Sequence, residues 1–375
     1  MKTRARLGTV LLIIVGLAAA PAAFAAVDAR GEKIQVAILL DTSNSMDGLI
    51  AQAKSQLWKV VNELARAKLH GRHPQLEVAL IEYGNDGLSE ASGYIRIVSD
   101  LTTDLDLISE CLFGLTTNGG QEYCGEVIDR AAEKLSWSPS ADALKVMYVA
   151  GNEPFTQGDL SYKVADARAV RKGIIVNTIF CGSRNEGVAT SWEDGARRTS
   201  GRYMSIDQEE AVREIHTPWD DEIIRLGNDL NATYIGYGSS GETQKTRQAA
   251  QDSNAATMGA PASVERSVAK AQAAYENGGW DLLDALQGRQ VTLGDLKVDE
   301  LPPVMRSMTQ AQRDAYVRDL AKQRSLLQEQ INAANEKRRV YIAEQMKKDA
   351  GQNTLDRAIL GSAREEAAGK GFIFE

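Results

Sequence analysis

Cysteine is almost missing from this chain: Cys111, Cys124 and Cys181 are the only three in 375 residues. So few cannot form a disulfide scaffold, and they lack the paired short spacings of a zinc site. One bridge plus one buried thiol is the arrangement to expect, with Cys111–Cys124 closing a short loop around Gly119-Gly120. Cys124–Cys181 is the competing pair. Histidine is equally scarce, and His70, His73 and His216 have no Ser/His/Asp spacing tied to a nucleophile elbow. A hydrolase is therefore unsupported. The glycine-rich stretch Gly236 to Gly241 lacks the Lys-Ser/Thr of a phosphate loop, and no Gly-x-Gly-x-x-Gly follows the first apolar run. Aromatic residues make up 6%, and the five tryptophans are dispersed, which fits packing better than a binding platform. An excess of positive charge is also absent. The net charge is −8, so no counterion-release energy is available on phosphates, and a nucleic-acid partner is excluded.

Long apolar runs are confined to one place. Residues 1–25 open with Lys2, Arg4 and Arg6, continue apolar from Leu7 through Ala19, and end on the small-x-small site Ala23-Phe24-Ala25. This is the pattern of a secretory signal peptide, and the run is shorter than the roughly 20 residues needed to span hydrocarbon. Cleavage would leave a chain beginning at Ala26 with a net charge of −11, since the leader carries three bases and no acid. The expected compartment is periplasmic or secreted, with no integral membrane segment after cleavage.

What is present begins with alternation. Apolar runs at Ile34–Leu40, Leu76–Tyr83, Tyr94–Val98, Leu144–Ala150, Ile174–Phe180 and Tyr203–Ile206 are separated by segments of helical period. That pattern predicts an α/β fold, doubly wound, around a mostly parallel six-stranded sheet. Leu49, Ile50, Ala53, Leu57, Val60, Val61 and Leu64 recur at helical spacing, as do Cys124, Val127, Ile128, Ala131 and Leu135. Past Trp219 strand signals nearly vanish and a mainly α-helical region follows. Ser263 to Glu276 reads as one helix. Thr309 with Gln312 fits a capping box opening a long helix to about Lys348. Val317, Leu320, Leu327, Ile331, Ala334 and Tyr341 fall on heptad seam positions, but so do Arg324 and Arg338. An intermolecular coiled coil and a helix lying on its own domain both remain open. At roughly 100 to 200 residues per domain, the length predicts two or three folding units.

The chemistry-bearing cluster is Asp41-Thr42-Ser43-Asn44-Ser45, placed between the first strand and the first helix. Ligands of open α/β sheets bind beyond the carboxyl ends of the strands, which is where this cluster falls. One carboxylate and two hydroxyls form an all-oxygen set suited to a hard divalent cation, Mg²⁺ or Mn²⁺, with positions left for water or for a partner's acidic group. The competing reading is that Ser43 or Ser45 caps the helix while Asp41 merely ends the strand.

The stretch Val36 to Met46 resembles the opening of a von Willebrand factor type A domain, whose Asp-x-Ser-x-Ser element begins a metal-ion-dependent adhesion site. Asn118-Gly119-Gly120 resembles that family's glycine turn, Val146 to Pro154 its fourth strand and loop, Gly173 to Gly182 its fifth strand, and Thr199-Ser200-Gly201-Arg202-Tyr203 the stretch before its last strand. The likeness covers about residues 33 to 215. It departs at two metal-related positions. Gln121-Glu122 stands where the family usually has threonine, and Gly151-Asn152-Glu153 where it usually has aspartate. Glu122, Asn152 and Glu153 are the candidates to supply the missing oxygen, with Thr116 or Thr117 as a source of hydroxyl. The implied organisation is a signal peptide over 1–25, a von Willebrand-like domain over 26–215, an extension with a glycine-rich loop over 216–260, and a helical region over 261–375. The implied function is binding rather than catalysis: an adhesion or complex-assembly module that captures a protein partner presenting an Asp or Glu. A metal-free interaction protein with a vestigial site is the alternative.

Overall fold

The computed structural model describes residues 32–207, 209, 215–346 and 355–374, so the expected signal peptide lies outside the described residues. The first part of the chain runs β1 (Lys33–Asp41), α1 (Asp47–Ala65), β2 (Ala67–Lys68), β3 (Gln75–Tyr83), β4 (Ile95–Thr102), α2 (Leu105–Phe113) and α3 (Cys124–Lys134). It continues with β5 (Leu144–Gly151), α4 (Tyr162–Arg171), β6 (Ile175–Cys181), α5 (Arg184–Ala189), α6 (Trp192–Arg198) and β7 (Tyr203–Ile206). Then come α7 (Asp220–Asn231), α8 (Gly241–Thr257), α9 (Ala260–Lys270), α10 (Leu282–Gln287), α11 (Pro303–Arg306), α12 (Gln310–Met346), α13 (Leu355–Gly369) and β8 (Ile373–Phe374).

Six strands form one sheet in the order β4-β3-β1-β5-β6-β7, all neighbours parallel except the antiparallel edge pair β3–β4. β1 and β5 read as near-continuous apolar runs because both of their faces are covered. On one face Ile34, Val36 and Leu40 meet Leu57 and Val61 of α1, together with Ile108 of α2. On the other, Ala37, Leu39, Met147 and Phe180 meet Val127 and Ile128 of α3, and Trp192 of α6. The helical stripe expected in residues 49–64 is the buried face of α1.

The first face is completed from far along the chain. Leu355, Ile359 and Ala363 of α13 enter the same core as β1 and α1. The Tyr148 hydroxyl of β5 donates to the Ile359 carbonyl at 3.1 Å, and the Leu355 N–H donates to Gln52 Oε1 at 3.1 Å. β8 then pairs antiparallel with β2. The described residues from Glu32 onward therefore form one compact unit rather than the two or three expected from length, with no separation at 215 or 260. The reason is physical: Ile223, Leu230, Val264 and Val268 of the helical region bury their apolar faces in the core that covers the sheet.

Helix α12 opens on the expected capping box: the Thr309 N–H donates to Gln312 Oε1 at 2.8 Å and the Gln312 N–H to Thr309 Oγ1 at 3.3 Å. Its seam faces inward. Leu327, Ile331 and Ala334 are buried in the chain's own core. Arg324 binds Asp281 at 2.6 Å and Asp284 at 2.8 Å, while Arg338 binds Asp220 at 3.1 Å and Glu265 at 2.7 Å. The two arginines that weaken a coiled-coil seam are thus intramolecular anchors. The helix expected over residues 263–276 is instead α9, which starts at Ala260 and ends at Lys270. Beyond it, Tyr275 donates to Asp106 Oδ2 at 2.6 Å, a tertiary bond that draws the chain out of the helical path.

Neither expected disulfide forms: Cys111, Cys124 and Cys181 are free thiols. Cys124 packs into the core on one face of the sheet, whereas Cys111 and Cys181 pack into the core on the other, so either bridge would have to cross the sheet. Among the described residues no helix is long and apolar enough to cross a membrane.

Candidate functional site

Asp41 is the last residue of β1, the strand flanked by β3 and β5 near the middle of the sheet. Four connections surround its carboxylate: those after β1, after β3, before α3 and after β5. Asp41 is fully buried, and its Oδ1 accepts the Ser43 N–H at 2.8 Å. Its Oδ2 is buried without a hydrogen-bond partner. A buried carboxylate oxygen left this way is costly unless something else occupies the position.

The two serines do not cap a helix. Ser43 has extended backbone and makes no side-chain cap to the turn Asn44–Met46, and the following helix α1 is likewise uncapped by a side chain. The Ser43 and Ser45 hydroxyls instead face each other at 3.2 Å. Adjacent oxygens of an octahedral shell with metal–oxygen distances of 2.0–2.1 Å lie about 3 Å apart, so this pair has the spacing of two neighbouring ligands. Asn152 Nδ2 donates to Ser45 Oγ at 3.1 Å and so orients that hydroxyl, while its Oδ1 is buried without a partner.

Glu122 is 6% exposed and is held at its backbone by Gln157 Oε1, which accepts the Glu122 N–H at 2.9 Å. Its Cγ and Asp41 Oδ1 both lie 2.8 Å from the point where a Cβ on Gly84 would stand. Gly84, with φ +77°, is a position the sequence analysis did not single out; a glycine directly after the second apolar run was the available signal. Gly84→Ala is expected to destabilise the protein by about 1–3 kcal/mol, from left-handed backbone strain and the contact with both acids. Urea denaturation measures this, and a loss below about 0.5 kcal/mol would contradict the described packing.

Burial pushes the Asp41 carboxyl up to about 7, with the bonds from Ser43 opposing it and the charges of Glu122 and Glu153 adding to it. Burial also pushes Glu122 up to about 7, helped by Glu153. A divalent cation beside them reverses that balance by favouring both ionised forms. Glu153 is felt as a charge by both acids and accepts the Trp192 indole N–H at its own carbonyl, 2.8 Å away. Thr117 is engaged elsewhere, its hydroxyl donating to Asp47. At Gly151 a Cβ would come within 2.6 Å of the Tyr83 hydroxyl and 3.1 Å of Asp41 Oδ2, so no acidic side chain fits that position. Among the described residues no group of three or more His, Cys, Asp or Glu side chains stands at metal-holding spacing. A cation here would rest on hydroxyl oxygens as well as carboxylates.

The six-stranded order with one antiparallel edge, helices on both faces, and an Asp-x-Ser-x-Ser element ending a central strand define a von Willebrand type A-like fold with a helical C-terminal region. No family model matches the sequence, and no curated protein matches it. Solved structures similar to the chain include an aerotolerance-related membrane protein from Bacteroides fragilis, at 18% identity over 46% of this chain and 92% of that one, with a TM-score of 0.33. The VWA domain of SpRpn10 is similar at 15% identity over 47% of this chain and 88% of that one, TM-score 0.35. Proximal thread matrix protein 1 from the mussel byssus, with a zinc-occupied MIDAS motif, is similar at 13% identity over 47% of this chain and 42% of that one, TM-score 0.34.

Proposed function

We propose that this chain is a periplasmic or secreted protein-binding module, not an enzyme, whose site is the rim at Asp41. Asp41, Ser43 and Ser45 would hold Mg²⁺ or Mn²⁺, and Asn152 steadies Ser45 in the same group. Bound there, the cation supplies positive charge and open coordination positions for an Asp or Glu of the partner. The observation that carries this reading is Asp41 Oδ2, a fully buried carboxylate oxygen without a partner, on the residue that opens the run whose two serine hydroxyls stand at ligand spacing. The histidines contribute nothing to this rim. His70 pairs with Glu32, His73 with the Ala65 carbonyl, and His216 lies beside Asp220.

A metal-free interaction protein is the second reading, favoured by the missing side chain at Gly151 and by the lack, among the described residues, of three or more His, Cys, Asp or Glu side chains at metal-holding spacing. Partner capture separates the two. The metal-dependent reading expects a co-purifying protein to be retained in Mg²⁺, lost in EDTA, and lost from Asp41→Ala in either buffer. Retention in EDTA equal to that in Mg²⁺ would establish the second reading.

A further inference from the structure

The chain carries the tripeptide Asn-Gly-Gly twice, at Asn118-Gly119-Gly120 and at Asn277-Gly278-Gly279. An asparagine ahead of glycine is open to attack on its own side-chain amide, because glycine has no Cβ to shield its backbone nitrogen. We infer that Asn118 is a modification site on the rim, converting to an acidic residue by intramolecular deamidation, whereas the fold protects Asn277. Neither half of this depends on a cation at the rim.

Because the two tripeptides are identical, any difference between them comes from the fold. Asn118 is exposed, in the connection before α3. The Gly119 N–H donates to Asn118 Oδ1 at 3.1 Å, the oxygen bonded to the carbon that this nitrogen would attack. Reacting atoms approach to about 3–3.5 Å before they bond, so the turn already holds nucleophile and target close. Its backbone is fastened, with the Asn118 N–H donating to the Thr42 carbonyl at 3.0 Å and the Asp86 N–H to the Gly119 carbonyl. Asn277, by contrast, is 8% exposed, and its Oδ1 accepts the Trp280 indole N–H at 3.2 Å. Its carbonyl accepts the N–H groups of Trp280 and Asp281 at 3.0 and 2.8 Å, and its own N–H donates to Asp284 Oδ2 at 2.8 Å. Reaction there must wait for local opening.

The step needs only water. The Gly119 nitrogen gives its proton to solvent and bonds to the Asn118 side-chain amide carbon, closing a succinimide ring, and the side-chain nitrogen leaves as ammonia. Water then opens the ring at either carbonyl, leaving aspartate or isoaspartate in place of Asn118. Both products carry a negative charge that the encoded residue lacks, next to the exposed Asp86. A rim so altered repels an acidic partner more strongly than the encoded one does. Isoaspartate also lengthens the turn by one methylene, against the bonds that tie it to Thr42 and Asp86.

The test holds the full chain at mildly alkaline pH and follows both sites by peptide mapping with mass spectrometry. In the folded protein, the peptide with Asn118 is expected to gain the mass of an amide-to-acid conversion about tenfold or more faster than the peptide with Asn277. Its rate should rise with pH, as attack by a deprotonated backbone nitrogen requires. In urea the two sites should convert at similar rates, since only the fold distinguishes them. Gly119→Ala should slow conversion of Asn118 severalfold by shielding the nitrogen. Its Cβ would meet Asp86 Oδ2 at 3.4 Å and Asn44 Nδ2 at 3.7 Å, both ordinary contacts, so the variant should fold, which circular dichroism checks. No conversion at Asn118, equal rates at the two sites in the folded protein, or a folded Gly119→Ala that converts as fast as wild type would overturn the inference.

Discussion

Arg266→Ala is expected to lower the unfolding free energy by about 3–5 kcal/mol, the range for stranding a buried charge. Arg266 sits on α9 and is 1% exposed. Its Nη1 donates to Asp106 of α2 at 2.6 Å and its Nε to Asp252 of α8 at 2.7 Å. The guanidinium also lies 4.3 Å from the ring of Trp58 in α1. Truncation leaves Asp106, only 3% exposed, with the Tyr275 hydroxyl and no cation bonded to it. Because α1 and α2 cover the sheet while α8 and α9 belong to the helical region, this cluster fastens the two together. Urea unfolding followed by both fluorescence and far-UV dichroism should show one transition, shifted as a whole. A loss below about 1 kcal/mol, or a variant in which the helices melt first and the sheet later, would contradict the shared core.

Stability in EDTA is expected to fall as pH rises from about 4 to about 7. Asp41, Glu122, Asp166 and Glu366 are each pushed up to about 7 by burial, whereas carboxyls of the unfolded chain titrate near 4. Between those limits the folded state binds more protons than the unfolded one, so the derivative of stability with pH is negative. The stabilisation is fully present below pH 4 and is lost as pH climbs through 7, on the order of several kcal/mol for the group together. Asp166, 1% exposed with both carboxylate oxygens unpartnered, contributes even though it lies on α4, outside the site. Asp41→Asn should flatten part of the profile and Asp166→Asn another part. Thermal melts across pH 5 to 8 in EDTA check this, and a rise in melting temperature toward pH 8 would contradict it.

Much of the fold is visible in the sequence because strands covered on both faces must be apolar at nearly every position. Ile34–Leu40 and Leu144–Ala150 therefore announce themselves without periodicity. Strand direction leaves no such trace, and nothing in Tyr94–Val98 marks β4 as the antiparallel edge. The role of α13 is hidden for a related reason. Its buried stripe of Leu355, Ile359 and Ala363 records that the helix packs, but not that it packs on β5 and α1. Arg324 and Arg338 were legible as faults in a seam. Their partners, Asp281 and Asp220, lie in loops and helix starts distant in sequence, and only the fold brings them together. Strand-end placement singles out Asp41, Ser43 and Ser45 as the candidates for the proposed site. Gly84 escapes notice because its task is to be empty, whereas Glu122 is a candidate by its place in the sequence and the fold adds its approach to Asp41 across Gly84.

The central claim is that the rim at Asp41 binds a divalent cation, and its most direct measurement is the melting temperature at pH 8 in EDTA, Mg²⁺ and Mn²⁺. Wild type should melt a few degrees higher in either cation, since saturation to about 100 times the dissociation constant contributes about 2.7 kcal/mol. The gain should shrink toward pH 5, where Asp41 and Glu122 hold protons that the cation must displace. Asp41→Ala should show no gain at either pH. Equal shifts in wild type and Asp41→Ala, or no shift in either, would contradict the account.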